Sequence, residues 1–229
     1  MAYSYSTLLT ALAEILAVPS TDSDLVALYP VIIDDAEQLL YRELGLLACR
    51  VTVNGTATTN SRLFTLPTSA GHLLVVDQIN VFDASSVRHP VVASSREFLD
   101  FLWPSENAPK VTSIPEIFAR ISDTTVLFGP APGAAWTVEV IGTIRPTALS
   151  AINTTTFLTT YLSDLFLAAC VVSATGSLLK QWSAVADDPQ MAVTWVTMFK
   201  EKLASAQREE LRKTYANALS APSSSIRSE

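Results

Sequence analysis

The sequence predicts an α+β protein: a helical bundle built from N- and C-terminal helices, with a mostly antiparallel β domain inserted between them. Three observations carry this prediction. Apolar residues recur at helical spacing up to Gly45. From about 47 to 145 the pattern shortens to β-rich runs separated by turn residues. Helical spacing returns beyond Pro146 and persists to about 215. The expected organisation is therefore 1–46 as N-terminal bundle helices, 47–150 as the β insertion, 151–215 as C-terminal bundle helices and 216–229 as a flexible tail.

The first helix is expected from Ser6 to Ala17, with Ser6 as N-cap and Leu8, Leu9, Leu12, Ile15 and Leu16 on one face. Pro30 fits a first helical position better than a helix interior. The spacing therefore predicts a short turn over 24–28 and a second helix from Pro30 to Leu44, closed by a left-handed Gly45. Strands are expected at Val51–Val53, Leu63–Leu66, Leu73–Val76, Ile79–Phe82, Val91–Val92, Glu116–Ile121, Thr125–Phe128 and Trp136–Ile144. Asn54-Gly55 reads as a turn, Ser95 to Trp103 as a helical segment, and Ser122–Thr124 and Gly129–Gly133 as two hairpin connections. A third helix should run from Thr159 or Thr160 to about Trp182, with Asp164 in its first turn. Asp187-Asp188-Pro189 marks the start of a fourth, with Trp195, Phe199, Leu203, Leu211 and Tyr215 on its apolar side and Glu209 paired to Lys213.

Composition narrows the function classes. The chain has 229 residues, 49% hydrophobic and 16% charged, which excludes a disordered polypeptide. So low a charged fraction predicts apolar surface covered by other copies, the alternative being a monomer whose surface is rich in Ser and Thr. The net charge of −7 is concentrated near the N-terminus, in Glu14, Asp22, Asp24, Asp34, Asp35, Glu37 and Glu43 against Arg42. There is no Lys/Arg stripe, which argues against tight binding of DNA phosphates. Cys49 and Cys170 read as buried free thiols. The apolar run from Leu8 to Val18 has no basic flank and is interrupted by Glu14, so it does not read as a signal peptide. Phe157 to Leu179 approaches the length of a membrane span, but Asp164 and several hydroxyls within it make it a core helix.

No pattern carries catalytic chemistry, and no catalytic residue, cofactor or metal site is expected. His72 and His89 lack spaced acidic partners and read as loop histidines. No nucleophile elbow, phosphate loop or dinucleotide fingerprint is present. Asp34 and Asp35 point about 100° apart on a helix and do not converge as an acid–base pair.

Three segments carry a resemblance: Ile33-Asp34-Asp35-Ala36-Glu37-Gln38-Leu39-Leu40-Tyr41-Arg42-Glu43-Leu44-Gly45; the strand–turn–strand Thr125 to Val140 around Gly129-Pro130-Ala131-Pro132; and Arg145-Pro146-Thr147-Ala148-Leu149-Ser150 before an apolar helix. In this order they resemble the head-to-tail adaptor (connector) proteins of tailed bacteriophages, over roughly positions 5 to 215. The resemblance implies a homo-oligomeric ring of twelve copies below the portal protein, made in the host cytoplasm and placed at the head–tail junction of the virion. It implies a bundle around the channel, contacts with tail or nozzle proteins, passage of DNA without specific binding, and no membrane. It also implies a C-terminal segment reaching the portal, with Ile226 and Arg227 as candidate anchors. Tyr41, Arg42 and Glu43 are candidate interface residues, and they read equally as an ordinary helix end with an internal ion pair. Gly142-Thr143-Ile144 departs from the family pattern, which often has aromatic residues before Arg-Pro. Rival readings are another virion part, such as a head-completion or tail-terminator protein, and a small-molecule-binding or enzymatic domain.

Overall fold

The computed structural model describes residues 2–104, 112–177, 182, 188 and 190–219. It is α+β, as patterning predicts, and divides into two compact units: Met1–Leu47 with Thr147–Glu229, and Ala48–Pro146.

The first unit is helical. Helix α1 spans Tyr5–Ile15, and its cap is Ser4 rather than Ser6: the Ser4 hydroxyl accepts from the Thr7 N–H while the Thr7 hydroxyl accepts from the Ser4 N–H. Helix α2 is one continuous element, Ser23–Glu43, started by the Asp22 carboxylate, which accepts from the N–H groups of Asp24 and Leu25. Pro30 therefore lies inside the helix instead of opening it. It sits on the exposed face, where solvent can serve the Val26 carbonyl that lost its donor. Nor does Gly45 close the helix in a left-handed conformation; the chain turns extended at Leu44, with φ −109°.

The expected third helix is broken. Helix α4 (Phe157–Tyr161) is opened by a Thr156–Thr159 capping box, the backbone leaves helical geometry at Leu162, and α5 (Ser163–Val172) follows, passing into a π-helical turn at Ser173–Ser177. The consecutive residues Ala168, Ala169, Cys170 and Val171 are all buried, so α5 is covered on every side and forms the centre of the unit. Helices α1, α2, α4 and α6 (Gln190–Leu219) pack against it. The Asp188 carboxylate accepts from the Gln190 N–H at 3.0 Å, as a cap does, while Asp187 and Pro189 lie outside the described residues. Helix α6 continues past the expected boundary at 216. Its inward stripe is Phe199, Ala206 and Glu210, flanked by Trp195, Lys202 and Leu203, so Leu211 and Tyr215 face outward, against expectation.

The second unit is a seven-stranded mixed sheet of order β1-β9-β3-β4-β6-β7-β2: β1 (Arg50–Thr56), β2 (Leu63–Thr65), β3 (His72–Phe82), β4 (Arg88–Ala93), β6 (Ile117–Arg120), β7 (Thr125–Gly129) and β9 (Thr137–Arg145). All pairs are antiparallel except β4 with β6, between which α3 (Arg96–Leu102) intervenes in sequence. The two runs expected within 73–82 are one strand, irregular in register between Leu73 and Val75 and between Val76 and Gln78. Asn54-Gly55 is strand, not turn; glycine is required there because a Cβ would lie 2.9 Å from the Phe64 ring. The Gly129–Gly133 segment makes no hairpin, since β7 and β9 are not neighbours; it leads into β8 (Ala131–Pro132), which pairs in parallel with β5 (Thr112–Ser113). Ser122–Thr124 does connect a hairpin, β6 to β7.

The sheet's core contains Val53, Ile79, Val81, Val126, Val138 and Val140, with the Phe64 and Phe128 rings stacked 5.4 Å apart. Two charged groups are buried within this unit and hydrogen-bonded. Arg62 donates to the Phe128 and Trp103 carbonyls and to Asp100, and Glu139 accepts from Asn80 at 2.7 Å and Arg88 at 2.9 Å. Glycine is required at 142, because a Cβ there would collide with the Val75 carbonyl at the irregular register of β3. Replacing Gly142 with Val should destabilise the protein by about 3 kcal/mol, read as a lowered urea midpoint with an unchanged slope.

Candidate functional site

The segment Arg145–Ser150 returns the chain to the helical unit, and a single side chain receives it. Glu37 lies on the same arc of α2 as Ile33, Ala36 and Leu40, and is 3% exposed. Its two carboxylate oxygens lie 3.2 and 3.3 Å from the N–H of Leu149, whose own side chain is buried. The Asn153 side-chain amide donates to the carbonyls of Thr147 and Ala148, closing the same loop. Burial pushes the Glu37 carboxyl from 4.5 up to about 7; the Leu149 N–H opposes this and the Asp34 charge adds to it. Behind it, Cys170 is fully buried, and its thiol is pushed well up by burial and then by the Glu37 charge. Cys49 and Cys170 are both buried and neither is in a disulfide, as the sequence suggested.

The neighbouring acids go elsewhere. Asp35 accepts from the Ser173 hydroxyl at 2.7 Å, linking α2 to the end of α5. Asp34 accepts from the Gln38 amide at 2.6 Å, and Gln38 in turn accepts from Arg42 at 2.7 Å, forming a ladder along the outer face of α2. Among the described residues no group of His, Cys, Asp and Glu has the arrangement of a metal site, and no helix is long and apolar enough to cross a membrane. His72 opens β3, and His89 lies in β4, its Nε2 3.0 Å from Asp83; neither is in a loop.

Of the candidate interface residues, Tyr41 is half-buried, Arg42 is exposed and turned along α2 to Gln38, and Glu43 is exposed with its carbonyl accepting from Gln207 on α6. Ile226 and Arg227 lie outside the described residues. Helix α6 is anchored to other elements by charged groups at two places, and a third set of ion pairs lies along the helix itself. Lys202 reaches Asp164 at 2.5 Å, Glu210 accepts from the Leu47 N–H at 3.1 Å, and Lys213 bridges Glu209 and Glu210 at 2.9 and 2.7 Å. The bond from Lys202 holds the Asp164 carboxyl below the usual range, and the two carboxylates raise Lys213.

The three resembling segments are thus a helix, a run of sheet strands and the loop that follows the last strand. A protein-family model described as SU10 adaptor protein matches residues 3–222. The chain belongs to the SU10 adaptor protein family. Among curated proteins no relative matches it. The match bears out the resemblance read from α2, the Gly-Pro-x-Pro segment and Arg-Pro-x-x-Leu-Ser, and identifies the chain as a phage adaptor protein.

Sequence reasoning passed over Glu37 as a joint of this adaptor. The signal was present: a carboxylate on the apolar arc of a helix requires a donor. The partner, a backbone N–H more than a hundred positions away, leaves no mark in side-chain pattern.

Glu37 makes the adaptor's stability depend on pH. In the unfolded chain it loses its proton near 4.5, whereas the folded state keeps it until about 7. Its contribution is therefore full below 4.5 and is lost as pH rises through 7. One pKa unit is about 1.4 kcal/mol, so the full loss amounts to roughly 3–4 kcal/mol. Glu37→Gln keeps an acceptor for Leu149 and removes the titration. Urea unfolding at pH 5 and pH 8 should give the variant a smaller difference in stability than the parent; an unchanged difference would refute this assignment.

Proposed function

We propose that this adaptor assembles as a homo-oligomeric ring of twelve copies below the portal of a tailed phage, extends the DNA channel there and joins the head to tail or nozzle proteins. The family match across 3–222 is the observation that carries this reading. Exposed apolar side chains on the helical unit support self-association: Val26, Val31, Val193, Leu211 and Tyr215 are each about half exposed. The net charge of −7 favours DNA that slides past without specific binding. The protein acts as a structural part of the virion, assembled in the host cytoplasm, and not as an enzyme. In this proposal the helices of 1–46 and 151–215 form the bundle around the channel, and Tyr41, Arg42 and Glu43 contribute to contacts between copies. The tail carrying Ile226 and Arg227 docks on the portal.

Electron microscopy and mass photometry of the purified chain with portal from the same phage test the proposal. Rings stacked on portal are expected; a monomer that ignores portal at micromolar concentration contradicts it. A chain lacking residues 220–229 keeps all of α6. It should melt at the same temperature and bind portal more weakly. Full portal affinity would remove the tail from the account while leaving the ring intact.

A further inference from the structure

Two outward helix faces of the first unit complement one another and differ in charge. Helix α5 lies at the centre, and α2 and α6 each turn their buried arc toward it, leaving two different arcs facing outward. The outer arc of α2 carries Asp24, Ala27, Val31 and Asp34, ending at Arg42, which the Gln38 ladder ties back toward Asp34. The outer arc of the C-terminal half of α6 carries Arg208, Leu211, Arg212 and Tyr215. The Nε groups of Arg208 and Arg212 donate to the backbone carbonyls of Ala204 and Arg208, and among the described residues no carboxylate lies at ion-pair distance from either guanidinium. Glu209, beside them, is taken up by Lys213. The charge contrast extends beyond the two arcs. The N-terminal 46 residues hold seven carboxylates and one arginine, while α6 holds five basic residues and three acidic ones.

We propose that the outer face of α6 in one copy docks on the outer face of α2 in the next, Arg208 and Arg212 meeting Asp24 and Asp34 while Leu211 and Tyr215 cover Val31. The occupant is a second copy of this chain, because the two faces have opposite charge and each brings apolar side chains that are about half exposed. Two different patches of one molecule make a head-to-tail contact, which builds a ring where its rotation closes and an open filament where it does not, in neither case a two-fold dimer. The inference rests on the ring proposed above and assigns its contact faces.

Reciprocal charge reversal tests it. One variant carries Ala27→Lys and Asp34→Lys; the other carries Arg208→Glu and Arg212→Glu. All four positions are exposed, and none is a helix cap. Each variant alone should need at least about tenfold more protein to assemble, because like charges then face each other. An equimolar mixture should recover assembly, with the two variants alternating around the ring, since each contact again pairs opposite charges. Mass photometry with and without portal reads all three samples. Variants that assemble like the parent, or a mixture that fails to recover, overturn the assignment and leave the ring reading standing. Loss of portal binding with self-assembly intact gives the face to the portal and also overturns it. A parent chain that never assembles, even on portal, overturns the ring and this contact together.

Discussion

The helical unit depends on one buried carboxylate. Glu37 sits among aliphatic side chains of α2 and accepts the N–H of Leu149, the first buried residue after the sheet's last strand. A carboxylate in that position is costly without donors, and a backbone N–H left unpaired there is costly as well. Each group offsets part of the penalty of the other, and only when the return loop is seated. Residues 147–153 then close around Asn153, and α4 and α5 follow in register.

Around the central helix the same logic repeats with smaller stakes. Because α5 is apolar on every side, its neighbours must be fixed by contacts at its margins. Asp164 near its start holds Lys202 of α6, and Ser173 at its end donates to Asp35 of α2. Glu210 of α6 accepts from the Leu47 N–H and bonds Lys213, whose ammonium also lies 5.7 Å from the centre of the Phe157 ring. These polar pairs set the rotation of α6, and that rotation turns Leu211 and Tyr215 outward.

The α+β class and most of the elements were legible as changes of period, from helical spacing to β runs and back. Misreadings cluster where a distant contact overrides a local signal. Pro30 reads as a helix start, but on an exposed face it costs one carbonyl its donor and the helix runs through. Asn54-Gly55 reads as a turn, but its glycine makes room for the Phe64 ring across the sheet. Leu211 and Tyr215 read as core, yet Lys202 and Glu210 occupy the inward arc because each finds a partner there. Ser6 has the right chemistry for a cap, but Ser4 is the residue that exchanges hydrogen bonds with Thr7. The adaptor segments were visible as motifs, while their joint at Glu37 and Leu149 depends on a backbone donor and was not.

Amide hydrogen exchange at Leu149, followed by nuclear magnetic resonance, tests the central role of that joint most directly. The account predicts that this loop amide is protected in the parent to the level of the amides of α5, and that Glu37→Ala removes its protection while α5 remains slow. A Leu149 amide that exchanges at the rate of an open loop in the parent protein would contradict it.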